Sequence, residues 1–356
     1  MIGIVCIGNI KYSPYLEKYV KILEDEQKEY EVLFWSRDNS DNLYPDNFIC
    51  FDKNSDLGQH GIIKSVRFLQ YGLWLKNIIG FKKYDGLIIL TTLSGIILWS
   101  TILMKYKDKY IFDIRDYSYE KYKLFFHLEE KIIKYSMFTC ISSIGFKEFL
   151  PPKYDYVIAH NFNYNDLNLR KAFKKKPKGS VINLVWNGIV RYFDHQSAII
   201  DRLKNDSRFN IIYHGSGPEL DKFKKYCSDN KINNVFFTGA YDNNTKYLLL
   251  NDADILNNSY AIKNEVKYAI SNKYYDGVIY AIPQLVEVNS FKHKKVSELG
   301  IGIGLDVHNN GFANQLYDYY FDINAIDFNE SCNKELQSIL KEDEVYLKKI
   351  SEFVLE

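Results

Sequence analysis

Several side chains in the second half of this chain carry groups able to hold an anion. Arg191 lies just beyond Gly188, where the apolar run VINLVWNG (181–188) ends. A guanidinium at a strand end can grip phosphate oxygens through paired hydrogen bonds. Lys273 follows Asn272 at the start of a helical stretch, so its ammonium and the helix dipole address one anion. Asp276 sits one turn further along the same helix. The turn Gly215–Ser216–Gly217 closes the strand IIYH and leads into a helix at Glu219. Backbone N–H groups at such a helix start can cradle a phosphate, although a single G-x-G also serves ordinary tight turns. His195 and His214 also stand near strand ends, where a single histidine more often has a structural role. Asp252 and Asp254 form a D-x-D that runs into the strand ADILNN and reads as a strand entry, so no metal site is assigned. In the first half, FDIRDYS places Arg115 and Asp116 at a strand's carboxyl end. Asp116 there can orient or deprotonate a hydroxyl, or it can pair with Arg115. Gly8 and Asn9 occupy the loop after the first strand.

The elements that must position these groups alternate between strand and helix. Strands are expected near 2–7, 31–35, 48–51, 86–90, 110–114, 137–141 and 155–159, with helices near 12–28, 61–79, 95–106, 119–135 and 143–149. The second half restarts at 181–188 and repeats the pattern through VFFTG (235–239), ADILNN (253–258) and the helix–strand NKYYDGVIYAIPQLVE (272–287). Such alternation describes α/β units with parallel sheets. The expected organisation is a Rossmann-like domain over 1–170, a lysine-rich linker over 171–180, a second Rossmann-like domain over 181–330 and a terminal helix over 331–356 that packs on the first domain. The stretch 86–104 is nineteen residues without a charge, long enough to cross a bilayer. Thr91, Thr92, Ser94 and Gly95 interrupt it, so it reads as buried strand, turn and helix.

Composition narrows the class. At 356 residues the chain suits two domains, and 46% hydrophobic with 26% charged residues excludes a disordered protein. A net charge of +1 argues against a nucleic-acid partner. Five scattered cysteines give neither a disulfide framework nor a zinc site. The opening MIGIVCIGN runs directly into a strand without a basic leader, so a cytoplasmic protein is expected. The 61–83 segment mixes apolar residues at helical spacing with Lys64, Arg67, Lys76, Lys82 and Lys83. It suits either packing on a sheet or peripheral attachment to the cytoplasmic face of the inner membrane, and both readings stay open.

In their order along the chain, NLVWNGIVR, IIYHGSGPE, NVFFTGAY, NDADILNN and NKYYDGVIYAIPQLV resemble the GT-B glycosyltransferases, most closely family 4 and related capsule and O-antigen enzymes. YLEKYVKILEDEQKEYEVLFWSR and FDIRDYS extend the resemblance into the first half. It implies a nucleotide-sugar donor, UDP-linked, a glycan or polyprenyl-linked saccharide acceptor, and metal-independent hexosyl transfer with UDP as product and no separate cofactor. Gly8, Asn9, Gly188, Arg191, His195, Gly215, Ser216, Gly217, Tyr241, Asn272, Lys273 and Asp276 then form the donor set, with Arg191 and Lys273 stabilising the leaving diphosphate and Asp116 on the acceptor side. The family's two glutamates, eight residues apart, fall here on Tyr268 and Asp276, and His195 stands near the place of its usual lysine. The alternatives are a sugar-nucleotide epimerase of the same fold and a silent subunit that activates a partner transferase.

Overall fold

The computed structural model describes residues 1–10, 13–37, 44–53 and 61–356. They form two compact units, one of Met1–Asn161 with Leu340–Glu356, the other of Phe162–Ile339.

The first unit holds seven parallel strands, β1 (Ile2–Cys6), β2 (Tyr30–Ser36), β3 (Phe48–Asp52), β4 (Gly86–Leu90), β5 (Tyr110–Ile114), β6 (Phe138–Ile141) and β7 (Tyr156–Ile158). Their spatial order is β3-β2-β1-β4-β5-β6-β7. Helices α1 (Pro14–Asp25), α2 (Gly61–Lys82), α3 (Thr92–Lys105) and α4 (Lys123–Lys134) make the connections. The central strands IGIVC, GLIIL and YIFDI are buried at every position, as a parallel sheet covered on both faces requires. The uncharged 86–104 stretch is therefore β4 and most of α3, and no helix among the described residues is long and apolar enough to cross a membrane. The turn is shorter than the expected Thr91–Gly95. Thr91 alone makes it, at φ 77°, and Gly95 lies within the helix, where Phe112 packs 2.6 Å from the place its Cβ would take. The helix expected over 12–28 starts at Pro14, and Tyr12 lies outside the described residues.

The second unit holds β8 (Ile182–Asn187), β9 (Phe209–His214), β10 (Val235–Gly239), β11 (Ile255–Asn257), β12 (Gln284–Glu287) and β13 (Gly302–Leu305), all parallel, in the order β10-β9-β8-β11-β12-β13. Its helices are α5 (Phe193–Leu203), α6 (Leu220–Asp229), α7 (Lys246–Leu250), α8 (Asn264–Lys267), α9 (Asn272–Ile279), α10 (Phe291–Leu299), α11 (Phe312–Asp322) and the start of α12 (Ala325–Leu355). The strand order reverses between β8 and β11. Ligands of open α/β sheets bind at the carboxyl ends beside such a reversal.

Helix α12 serves both units. Tyr346, Ile350, Phe353 and Val354 belong to the first unit's core, with Leu16, Tyr19 and Leu23 of α1 and strand residues such as Ile4 and Ile88. Nearer its start, Glu335 accepts a hydrogen bond from Tyr274 of α9 and pairs with Lys295 of α10. The lysine-rich segment 171–180 is no loose tether. Phe173 is buried against Phe328 and Tyr320, its N–H donates to Asn329, and Lys175 donates to the carbonyls of Phe321 and Ile323 at the end of α11. Removing a buried phenyl ring costs about 3 kcal/mol or more. Phe173→Ala should lower the urea midpoint of the second unit accordingly. A midpoint unchanged from the parent would show that the segment is not docked.

Candidate functional site

The reversal between β8 and β11 gathers positive charge. β8 ends in Trp186 and Asn187, and Gly188 turns the chain at φ +110°. β11 ends at Asn257 and continues through Asn258 and Ser259 to Tyr260. Lys273, in the first turn of α9, is only 5% exposed. Its ammonium lies 3.3 Å from the centre of the Trp186 ring and donates to the Tyr260 hydroxyl at 2.8 Å. Lys292, in the first turn of α10, is 1% exposed, donates to the Asn258 carbonyl, pairs with Glu287 at 3.1 Å, and faces the Tyr260 ring at 4.4 Å. Tyr260 also meets Trp186 and Tyr192 edge-on, and Arg191 stands exposed over the Tyr192 ring.

Three basic side chains thus surround Tyr260, and the two carboxylates near them are paired with other lysines, Glu287 with Lys292 and Asp276 with Lys246. Among the described residues neither Lys273 nor Arg191 has a carboxylate within ion-pair distance. Burial, followed by the nearby Lys292 charge, pushes the Lys273 ammonium well below its ordinary pKa. An uncompensated buried cation is expensive, and such groups are found more often at functional sites than elsewhere. Buried polar atoms without a hydrogen-bond partner gather in the same place: Trp186 Nε1, Asn187 Oδ1 and Glu287 Oε1. Others lie elsewhere, among them both oxygens of Glu129 and Asp113 Oδ1 in the first unit.

Asp276 is 4% exposed and lies beside this cluster. One carboxylate oxygen accepts from Lys246 at 2.6 Å, the other from Asn187 at 2.9 Å. Lys246 also donates to Asp166 at 2.8 Å. Burial alone would lower its pKa, but Asp276 and Asp166 carry it up to about 12, so it stays charged. Tyr241 lies against Asn187 and Asp276, and burial raises its pKa.

The two glycines of the 215–217 turn answer a need inside the protein. A Cβ on Gly215, whose φ is +139°, would stand 1.9 Å from the Gly188 carbonyl oxygen, and one on Gly217 would stand 2.3 Å from that of Val190. The Gly215 N–H donates to Gly239, and Ser216 accepts from the Val190 N–H while its side chain is exposed. The turn after β9 lies directly on the turn after β8 and fixes the course of Gly188–Arg191. His195 shares a hydrogen bond with Ser259, and burial lowers its pKa to about 4, so it is neutral at pH 7. His214 pairs with Thr238, and burial lowers its pKa too. Asn272 opens α9 behind Ser271, whose hydroxyl donates to Asn258 and does not cap the helix.

The D-x-D sits at the opposite, amino end of β11. There Asp254 accepts from Lys176 and from the Asn183 N–H, and Asp252 offers its carbonyl to Asn183. Among the described residues no three His, Cys, Asp or Glu side chains come together as metal ligands. In the first unit, Asp116 is exposed at the carboxyl end of β5, while Arg115 turns inward to Asp113 and the Ala159 carbonyl. Gly8 has φ +139°, and Asn9 accepts from the Arg37 N–H.

Lys246, Glu287 and Lys292 escape sequence reading, since each is a lone charge in an otherwise ordinary helix or strand. Trp186 and Tyr260 carry no sequence signal of their own. Only the asymmetry of cations over carboxylates around them, visible in three dimensions, marks them as a site.

No protein-family model matches the chain, and no curated protein matches it in sequence. Solved structures do match in shape. Sucrose-phosphate synthase from Thermosynechococcus elongatus aligns over 99% of this chain and all of its own, at 10% identity and a TM-score of 0.69. HepE from Anabaena, solved with UDP, aligns over 99% of both chains at 11% identity and 0.68. The lipopolysaccharide glycosyltransferase WaaG aligns over 94% of this chain and 93% of its own, at 10% identity and 0.60. The chain therefore has the two-domain α/β fold of the GT-B class.

The caged lysine yields a prediction. Lys273→Met keeps the side chain's length and removes a charge that no carboxylate balances, so it should raise stability by about 1 kcal/mol or more. The folded-state pKa is depressed, so the unfolded chain takes up the proton first as pH falls from 10.5. The parent loses stability over that descent and the variant does not. Urea titrations at pH 9.5 and 7.5 should show a gap that is wider at the lower pH. A methionine variant less stable than the parent at both would contradict the charge assignment.

Proposed function

We propose that this chain is a glycosyltransferase that moves a hexose from a nucleotide-sugar donor, UDP-linked, to a glycan or polyprenyl-linked saccharide acceptor in bacterial surface polysaccharide synthesis. The observation that carries the proposal is the excess of positive charge around Tyr260 at the reversal point of the second sheet. Breaking the bond between an anomeric carbon and a diphosphate loads negative charge onto the leaving group. Preorganised cations are the strongest means of stabilising it. In this reading Arg191 and Lys273 hold the diphosphate, with Gly188 and Asn272 beside them, and Lys292 adds to the local field. Asp276 takes the ribose hydroxyls, Tyr241 and the 215–217 turn line the nucleoside side, and His195 supports Ser259 as a neutral donor or acceptor. Asp116 activates the acceptor hydroxyl from the first unit, with Gly8 and Asn9 on the loop after β1. The structure of HepE holding UDP, and WaaG, a lipopolysaccharide enzyme, are the grounds for preferring a UDP donor and a surface glycan.

The test separates charge from folding. Arg191→Ala should weaken UDP binding by about 1.5–3 kcal/mol and leave uridine binding nearly unchanged, because only the diphosphate meets the guanidinium. Transfer should continue in excess EDTA, since cationic side chains carry the leaving-group charge, and Asp116→Asn should lower turnover with donor affinity intact. Equal losses for UDP and uridine, or activity lost to EDTA and restored by Mn²⁺, would overturn the assignment.

The lipid-linked acceptor goes with peripheral attachment to the membrane. α2 buries Tyr71, Leu75 and Ile79 in the first unit and shows Val66, Leu69 and Leu73 on its outside, where its charged residues are basic. The side chain of Lys64 lies outside the described residues. Leu69→Glu with Leu73→Glu should abolish co-sedimentation with vesicles rich in anionic lipid. Parent protein that stays in the supernatant at low salt would remove this part of the reading.

A further inference from the structure

Two arginines stand at the carboxyl edge of the first sheet, and the protein holds them differently. Arg115, after β5, is buried and has a carboxylate partner, Asp113, with the Ala159 carbonyl as a further acceptor. Arg37, directly after β2, is half-buried and has neither. Its guanidinium lies over the rings of Trp35 and Phe68, 4.8 and 5.2 Å from their centres. Among the described residues no carboxylate pairs with it, and no atom accepts a hydrogen bond from its side chain, whose Nε is buried. The ionisable groups that act on it, Cys6 and Tyr71, do not balance its charge. Burial pushes the Cys6 thiol up to about 11 and the Tyr71 phenol well above its usual range, so both are neutral at pH 7.

The platform under Arg37 is fixed. Trp35 is fully buried, stacks on Tyr71, meets Phe51 and Phe68 edge-on, and donates its Nε1–H to the Lys53 carbonyl. The Arg37 backbone N–H donates to Asn9 Oδ1 at 2.8 Å, which ties the residue to the loop after β1. Aromatic faces offset part of the cost of taking a guanidinium out of water, but they leave its in-plane N–H groups unanswered. That planar fork matches the paired oxygens of a phosphate or a carboxylate. What lies beside it selects between them. Phe68 belongs to α2, and around it on that helix Val66, Leu69 and Leu73 are exposed. An open cation next to an apolar strip fits a phosphate carried on a hydrocarbon chain. An acidic sugar has no apolar part to cover the strip. We infer that Arg37, seated on Trp35 and Phe68 at the carboxyl edge of the first sheet, binds the phosphate of a lipid-linked acceptor. The inference rests on the acceptor reading above and deepens it, since that reading names no residue for the acceptor's charge.

Calorimetry on the full chain, with UDP in excess to fill the proposed donor site, compares citronellyl phosphate, citronellol, inorganic phosphate and methyl glucuronide. The parent should bind citronellyl phosphate about tenfold or more tighter than each of the others, because it alone carries both the charge and the chain. Arg37→Met should weaken that binding by about ten- to a hundred-fold, the loss expected when a charged hydrogen-bonding partner is removed. Arg191→Ala should leave it unchanged. Arg37→Lys serves if the methionine variant does not fold, and should bind about threefold weaker or more, since an ammonium lacks the planar fork. An arginine that merely packs on Trp35 would shift melting in these variants and leave the affinity alone, and that result overturns the inference. Inorganic phosphate bound as tightly as citronellyl phosphate makes the site one for free phosphate, and the lipid assignment falls. Methyl glucuronide taken through Arg37 in place of citronellyl phosphate assigns the site to an acidic sugar and overturns it as well. A loss seen with Arg191→Ala and not with Arg37→Met puts the phosphate at the donor site, with the same consequence. The titrations also read UDP itself. A parent that binds UDP and not citronellyl phosphate loses the inference and keeps the donor reading. One that binds citronellyl phosphate through Arg37 and no UDP keeps the phosphate site and loses the donor reading.

Discussion

A single unbalanced charge organises the second unit. The ammonium of Lys273 is held between an indole face and a phenol hydroxyl, in a place where burial alone would drive it neutral. Among the described residues no carboxylate stands within ion-pair distance of it, because Glu287 is committed to Lys292 and Asp276 to Lys246. The aromatic residues make the arrangement tolerable, since the negative faces of Trp186 and Tyr260 supply part of what water would have given. Such a group carries a cost during folding, and in the proposed donor site the arrival of an anion would recover it. Stability and binding are set against each other at one side chain.

Holding that lysine in place is work for the backbone. Trp186 stands at the end of β8, and the chain beyond it is steered by the contact of the 188–190 and 215–217 turns, which only glycines permit. α9 begins where the β11 extension ends, and Ser271 clips one to the other through Asn258. Asn258 also receives Lys292, so both lysines are positioned by the same short segment. The far side of α9 is fastened by Tyr274 to Glu335. A site on the ends of strands and the first turns of helices inherits the rigidity of the sheet.

Much of this architecture could be read from sequence because buried parallel strands announce themselves. GLIIL and YIFDI are short apolar runs bounded by polar turns, and they fall where expected. Errors collected at boundaries. Ser94 and Gly95 looked like a loop and are helix, and Phe112 packs where a side chain on Gly95 would stand. The lysines of 171–180 suggested a linker, and most of the segment is exposed, but Phe173 among them is buried against Tyr320 and Phe328. Lys273 and Asp276 could be singled out because a helix start after a strand has a known use. Their partners could not, since whether a lysine meets a carboxylate or an indole depends on elements distant in the chain. Lys246 and Asp276 are brought together by the sheet, and no local pattern records it.

The shared helix α12 has a consequence for how the protein is made. A ribosome that has finished residues 1–161 has produced every strand of the first sheet, yet the side chains that close one face of it lie at 346–354. Through the synthesis of almost the whole second unit, α1 is the one helix among the described residues that covers that apolar face. The second unit meets no such delay, because its sequence is continuous and its own part of α12 follows directly. The order of completion is thus reversed relative to the order of translation. The emerging chain carries an uncovered greasy surface for nearly two hundred residues, which makes it a natural client for chaperones that bind nascent polypeptides.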